Sequence, residues 1–313
     1  MSRNKVLVTG GLGFIGGNLI PMLEQNGYQV NVLDNLSSGS YKNLENSKAN
    51  IINGDIRNKK DVSAAISNCS TVIHLAALGS VTESILSPEE NFDINVKGTF
   101  NVLNESRLSS VSNLIFSSTG GALIGDTEPP VNELSLPSPI SPYGSGKLCG
   151  ESYCSSFSKV YKMNITSLRF ANVIGPFSWH KKGAVTTFMK AILNKKDIKI
   201  YGDGNATRDF LYVNDLCNGI LLTLKSKLKG YNTLHLSSGL EVSINRLAHE
   251  IINTSGINNV PIRFLEKRRG EVERNFADFS LAKKLIGYEP KISFESAINK
   301  TWNWFKDYNV ENN

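Results

Sequence analysis

The chain lacks any apolar run long enough to span a membrane. Its hydrophobic stretches, such as KVLVTG and LIFSS, are strand-sized, and no membrane partner is expected. Cysteine is scarce. Cys69, Cys149, Cys154 and Cys217 are scattered without metal-ligand spacing, which predicts no metal and suits reduced thiols in a cytoplasm. Nor is there a basic stripe. The formal net charge is +6, but the densest clusters are only HKK and EKRRGE, without interleaved aromatics. Nucleic acid is therefore not the expected partner, whereas a phosphate-bearing small molecule could use such cations. The opening MSRNK leads directly into a strand pattern, so no signal peptide is expected.

What is present is an alternation of short β-branched runs with helical patterns. KVLVTG, QVNVLD, NIINGD, TVIHLAA and LIFSST read as strands, separated by segments such as GFIGGNLIPMLEQNG with apolar residues at helical spacing. Continuous apolar strands between helices indicate βαβ units and a parallel sheet covered on both faces. The predicted fold class is α/β, a Rossmann-type doubly wound parallel sheet with a smaller, interleaved α/β substrate domain. The first domain is expected over residues 1–171, with a segment near 210–238 returning to it. The substrate domain takes most of 172–313, where the rhythm loosens from IGPFSWHKKG onward.

VLVTGGLGFIGGNLI places Gly10, Gly13 and Gly16 between the first strand and its helix. Glycine there lets backbone N–H groups approach a pyrophosphate at a helix N-terminus, where the dipole favours negative charge. The second strand ends in Asp34, at the spacing that ribose recognition requires. A carboxylate there accepts bonds from the ribose hydroxyls and repels a 2′-phosphate, which favours NAD over NADP. Asp55, in GDI, is expected near the adenine, and HLAA along the cofactor's edge, with His74 a packed histidine. The expected cofactor set is completed by Phe14, Ile15, Asn35, Ser38, Gly39, Ile56, Leu75, Ala76, Ala77, Asn95, Ser117 and Phe170.

LIFSSTGG ends a strand in Ser117, Ser118 and Thr119, at the sheet edge where open α/β folds bind ligands. Downstream, SPYGSGKLCGE sets Tyr143 four residues before Lys147, so the two side chains share one helix face. Lys147 and a positive nicotinamide ring both favour phenolate, so Tyr143 is expected to titrate well below 10 and act as general base. Thr119 would share its hydrogen bond, and Ser118 joins the expected catalytic set.

Together with RFANVIGP and YGDGNATRDFLYVNDL, these motifs resemble the extended short-chain dehydrogenase/reductases, and among them the nucleotide-sugar epimerases. The resemblance covers nearly the whole chain. It implies Tyr143 as base, with Lys147 holding the nicotinamide ribose and Thr119 as hydroxyl partner. It further implies a UDP-sugar substrate: Asn172 on a phosphate or sugar oxygen, Arg208 and Arg268 on the diphosphate, Glu271 on the uridine ribose, and Lys199 and Tyr201 at the uracil. Asn275, in EVERNFADFS, falls where the family gates the sugar's C2 substituent. It is small enough for an N-acetyl group, as are Gly79 and Ser80. A homodimer through the helices after Pro88 and around Tyr143 is also implied.

Two departures stand out. Ile124 replaces a phenol common after the Ser/Thr segment, and Gly120 and Gly121 follow Thr119 where dehydratases and decarboxylases carry an acid. Without that acid, elimination recedes. The expected reaction is 4-epimerisation of a UDP-hexose or UDP-N-acetylhexosamine through a transient 4-keto sugar. A 4-ketosugar reductase is the nearest alternative, and a non-catalytic dinucleotide sensor the more distant one.

Overall fold

The computed structural model describes residues 4–268, 270 and 272–312. The first half runs β1 (Lys5–Thr9), α1 (Phe14–Gln25), β2 (Gln29–Asp34), β3 (Asn50–Asn53), α2 (Lys59–Ile66), β4 (Thr71–His74), α3 (Val81–Leu86) and α4 (Pro88–Phe92). A π-helical stretch, Asp93–Gly98, leads into α5 (Thr99–Leu108). Then come β5 (Asn113–Thr119), α6 (Gly121–Ile124), α7 (Pro142–Tyr161) and β6 (Asn164–Phe170). Residues 88–108 are thus helical without a break, in three successive pieces. The extra residue per turn in the π-helical piece is a distortion common at functional sites.

The second half runs β7 (Asn172–Ile174), α8 (Ala184–Leu193), β8 (Ile198–Tyr201), β9 (Thr207–Arg208), β10 (Phe210–Tyr212), α9 (Val213–Ser226) and β11 (Tyr231–Leu236). It ends with β12 (Val242–Ser243), α10 (Ile244–Ser255), β13 (Ile262–Leu265), α11 (Ser280–Ile286) and α12 (Phe294–Asn312).

Seven strands form one sheet in the order β11-β6-β5-β4-β1-β2-β3, every pairing parallel. The chain winds outward both ways from β1, so its switch point lies between β1 and β4, where such sheets open a crevice at their carboxyl ends. Helices cover both faces, which is why β1, β4 and β5 are buried along nearly their whole length. The second half pairs β7 with β10, β9 with β12 and β8 with β13. It has its own core, which includes Phe188, Met189, Leu247, Trp302 and Phe305. Yet Leu216, Ile220 and Leu234, from α9 and β11, pack into the core of the large sheet. The core of the large sheet therefore takes in chain segments from the second half.

No described helix is long and apolar enough to cross a membrane. All four cysteines are free thiols.

Candidate active site

The glycine loop seats α1 against the sheet edge. Gly10 has φ +68°, and a Cβ there would lie 2.8 Å from the Ala76 backbone. A Cβ on Gly16 would lie 2.3 Å from the Gly11 carbonyl oxygen. Neither position admits a side chain. Gly13 caps α1 without a side-chain acceptor, so the first N–H groups of the helix, those of Phe14 and Ile15, keep their donor capacity at its positive end.

Asp34 ends β2 beside this loop. Its Oδ2 accepts from Leu12 N and its Oδ1 from Leu36 N, both at 2.9 Å. Burial raises its pKa, and these two donors oppose the rise. Gly39 lies against it, since a Cβ there would come within 3.0 Å of Asp34 Oδ1, and Ser38 is exposed next to it. Asn35 Nδ2 donates to Asp55 Oδ2 at 2.9 Å. Asp55 also grips Arg57, which holds the carboxyl at about 2. Ile56 is buried against Gly98.

Beyond β4, Leu75 N and Ala76 N are held by the backbone and hydroxyl oxygens of Thr9. Asn95, within the π-helical stretch, accepts from Leu78 N at 2.9 Å and donates to Leu78 O at 3.0 Å. It thereby fixes the loop that follows Ala77. His74 is buried between the hydroxyls of Thr9 and Thr99, and burial pulls its pKa to about 3, so it is a neutral packed histidine.

Thr119 pairs with Phe170 at the carboxyl ends of β5 and β6. Above them sits α7. Its N-cap is Ser141, whose hydroxyl accepts from Gly144 N at 3.2 Å, and Pro142 follows at the first helical position. A Cβ on Gly150 would lie 2.5 Å from the Phe116 ring, so only glycine lets α7 approach β5 this closely. The small residues around the Tyr–Lys pair thus serve helix seating. Tyr143 shares a hydrogen bond with the Thr119 hydroxyl, and its backbone N–H donates to Ser84 Oγ at 3.2 Å.

The titration expected of Tyr143 is not what the protein's own groups produce. Lys147 donates to the Ser117 carbonyl at 2.7 Å and lies 4.9 Å from the Phe116 ring centre, and burial lowers it to about 8. Burial also dominates at Tyr143, lifting the phenol to about 12 with only the Thr119 bond opposing. Desolvation outweighs any help from Lys147. Ser118 likewise turns its hydroxyl elsewhere, donating to Glu151 Oε1 at 2.6 Å.

On the substrate side, Lys199 and Tyr201 share the exposed face of β8, and the Arg268 guanidinium lies 3.6 Å above the Tyr201 ring centre. Arg208, on β9, donates to Thr207 O at 2.7 Å. Asn172 opens β7 with an exposed side chain. Asn275 is buried, its Nδ2 has no partner among the described residues, and a Cβ on Gly121 would meet its amide at 2.9 Å. Glu271 lies outside the described residues.

Sequence reasoning missed Ser84, Glu151 and Arg169. For Glu151 a signal existed: it continues the Tyr143–Lys147 face by one more turn.

The model of the NAD dependent epimerase/dehydratase family matches residues 6–234. The chain belongs to that family. A Methanocaldococcus jannaschii protein carrying the provisional name UDP-glucose 4-epimerase is 37% identical over 308 residues, covering 97% of this chain and 99% of its own. The crystal structure of Thermotoga maritima UDP-glucose 4-epimerase with UDP-glucose superposes with TM-score 0.93 at 34% identity, over 97% of this chain and 99% of that one. UDP-N-acetylglucosamine 4-epimerase of Methanobrevibacter ruminantium, in complex with UDP-N-acetylmuramic acid, gives 0.91 at 31% identity, over 98% and 100%. As a member of the family, the chain has its seven-stranded Rossmann-like sheet and the Tyr–Lys helix beside it.

Proposed function

We propose that the protein is an NAD-dependent UDP-sugar 4-epimerase working through a transient 4-keto sugar. The observation that carries this reading is the gathering of Thr119, Tyr143 and Lys147 at the carboxyl edge of the sheet, across from the glycine loop. The loop fits a dinucleotide, because its uncapped helix N-terminus and side-chain-free approach at Gly10 and Gly16 suit a pyrophosphate. When bound there, NAD supplies a hydride acceptor and donor and a positive ring that favours phenolate at Tyr143.

Tyr143 takes the 4-hydroxyl proton and later returns it, so no net proton is exchanged with solvent. Thr119 holds the same substrate oxygen. Lys147 contributes a cation pinned by Ser117 and would hold the nicotinamide ribose. Asp34 receives the adenosine ribose hydroxyls. Arg208 and Arg268 clamp the substrate diphosphate, with Asn172, Lys199 and Tyr201 around the nucleotide.

For the sugar, the buried Asn275, its Nδ2 unpartnered among the described residues, supports a pocket that admits an N-acetyl group as well as a plain hydroxyl at C2. Exposed Phe92, Tyr153, Val160 and Tyr161 support a homodimer through α4 and α7, which sedimentation at micromolar concentration tests. The free thiols suit a cytoplasmic enzyme.

The deciding experiment incubates the protein separately with UDP-glucose, UDP-N-acetylglucosamine and UDP-glucuronate and resolves the epimers. Catalytic turnover with bound NAD supports the reading. Stoichiometric consumption of NADH with a 4-keto sugar would replace it with a reductase.

A further inference from the structure

Beneath the Thr119–Tyr143–Lys147 group lies a buried ion pair with no part in the mechanism above. Glu151 and Arg169 are 6% and 4% exposed and form a two-point bond, Nε to Oε1 at 3.0 Å and Nη2 to Oε2 at 2.9 Å. The same Oε1 accepts from Ser118 Oγ at 2.6 Å. Ser118 and Arg169 face each other in register on β5 and β6, so one carboxylate ties α7 to both strands.

The position is what makes the pair informative. Replacing a buried ion pair by apolar side chains of similar volume is often neutral or stabilising, so stability alone is a poor reason for it. Tyr143, Lys147 and Glu151 follow at successive turns of one helix face. Ser118 directly precedes Thr119, the hydroxyl bonded to Tyr143. A one-residue slip of α7 would move Tyr143 by about 1.5 Å, and about 1 Å of misplacement can cost on the order of 100-fold in rate.

We propose that Glu151 is a positioning residue for Tyr143 and Lys147: it locks α7 in register with β5 and β6 and stands as the buried counter-charge of the Lys147 ammonium. The inference rests on the epimerase reading only where turnover is the readout. Burial lowers the Lys147 pKa most; Cys154 and then Glu151 raise it, and since burial keeps Cys154 a neutral thiol, Glu151 is the standing negative charge. The other titratable groups packed here are His74 of β4, Cys154 on α7, Arg169 of β6, and Tyr231 and His235 of β11. Burial holds both histidines near 3, Tyr231 near 12, and Cys154 above its usual range. Lys147 is thus the group of this cluster that changes charge near pH 8.

The test uses the full chain, with the Lys147 side chain titrated by NMR in lysine-labelled protein and assigned through Lys147→Arg. Two variants are compared: Glu151→Gln, which keeps the bonding shape without the charge, and the double variant Glu151→Leu/Arg169→Met, which keeps the volume. The Lys147 midpoint should fall in Glu151→Gln, and fall less in the double variant, where the Arg169 cation is removed along with the carboxylate. In both, kcat should drop about 10-fold or more with KM changed less than about 2-fold, and the alkaline limb of the kcat profile should move to lower pH.

A folded variant with the parental Lys147 midpoint and kcat profile overturns the proposal. So does a loss of melting temperature with the midpoint and profile unmoved, and so does failure of both variants to fold, since the pair would then be structural only. The titration needs no substrate. An inactive parent would sink the epimerase reading while the NMR midpoint still decides the role of Glu151.

Discussion

The Ser117 carbonyl oxygen accepts a 2.7 Å hydrogen bond from the Lys147 ammonium. A backbone acceptor on β5 thus holds a buried cation on α7, one helical turn from the phenol that meets Thr119. Two ionisable side chains are thereby brought to the sheet edge with their charge states set by burial, and each can be tested separately.

Tyr143→Phe removes only the proton acceptor. We expect turnover to fall by about 10²–10⁴-fold, with NAD and UDP-sugar affinities and melting temperature unchanged. Isothermal titration and an epimer assay check this. Retention of a tenth of the activity would show that another group takes the proton.

Lys147 acts in opposite senses on activity and stability. Its native pKa of about 8 lies below the reference of 10.5, so between those values the unfolded chain binds more protons than the native one. Its contribution to stability therefore rises with pH across that window, and the cost of burying the ammonium is fully felt below it. Activity should instead decline above about pH 8, as the cation is lost. Denaturant midpoints at pH 7.5 and 10 for Lys147→Met against the parent, beside a kcat profile, separate the two effects. Lys147→Met should also weaken NAD binding.

Asp34 should exclude NADP, because a 2′-phosphate would meet a carboxylate already short of water. Titration of the cofactor-free protein should show NAD far tighter than NADP, and Asp34→Asn should narrow the gap. Equal affinities in the parent would show that Asp34 serves only the Leu12 and Leu36 N–H groups.

His74 is predicted to make the fold acid-sensitive. Its native value near 3 lies below the reference of 6.5, so as pH falls through that range the unfolded state takes up the proton first. Stability drops over the same window. His74→Gln should lose less stability than the parent between pH 7 and pH 5 in urea unfolding. His235, also near 3, sustains the remaining decline.

Asn275→Tyr should depress kcat/KM for UDP-N-acetylglucosamine far more than for UDP-glucose, since added volume beside Gly121 would collide with an N-acetyl group first. A parallel fall for both sugars would place the gate elsewhere.

Much of this site was legible along the chain because its parts are local. A glycine loop between strand and helix, an acid at the end of the next strand, and a Tyr–Lys pair one turn apart each depend on a few neighbouring residues and on backbone geometry. The sheet edge carrying Ser117, Ser118 and Thr119 followed from β-branched periodicity in the same way. The substrate residues were named only through resemblance, since Asn172, Lys199, Arg208, Arg268 and Asn275 sit on separate short elements whose meeting no periodicity announces.

By itself the sequence determined the parallel α/β architecture and the glycine loop between its first strand and helix, and picked out Thr119, Tyr143 and Lys147 as candidates. Only the tertiary structure decided their charge states and partners. It sent Ser118 to Glu151 rather than toward the phenol, gave Lys147 to the Ser117 carbonyl, and lifted Tyr143 to about 12 by burial, leaving the lowering expected from Lys147 and a nicotinamide ring to the bound cofactor. The physical reason is that desolvation depends on everything packed around a group, and the groups that meet Tyr143 and Lys147, among them Ser84, Ser117 and Thr119, lie far from them in sequence.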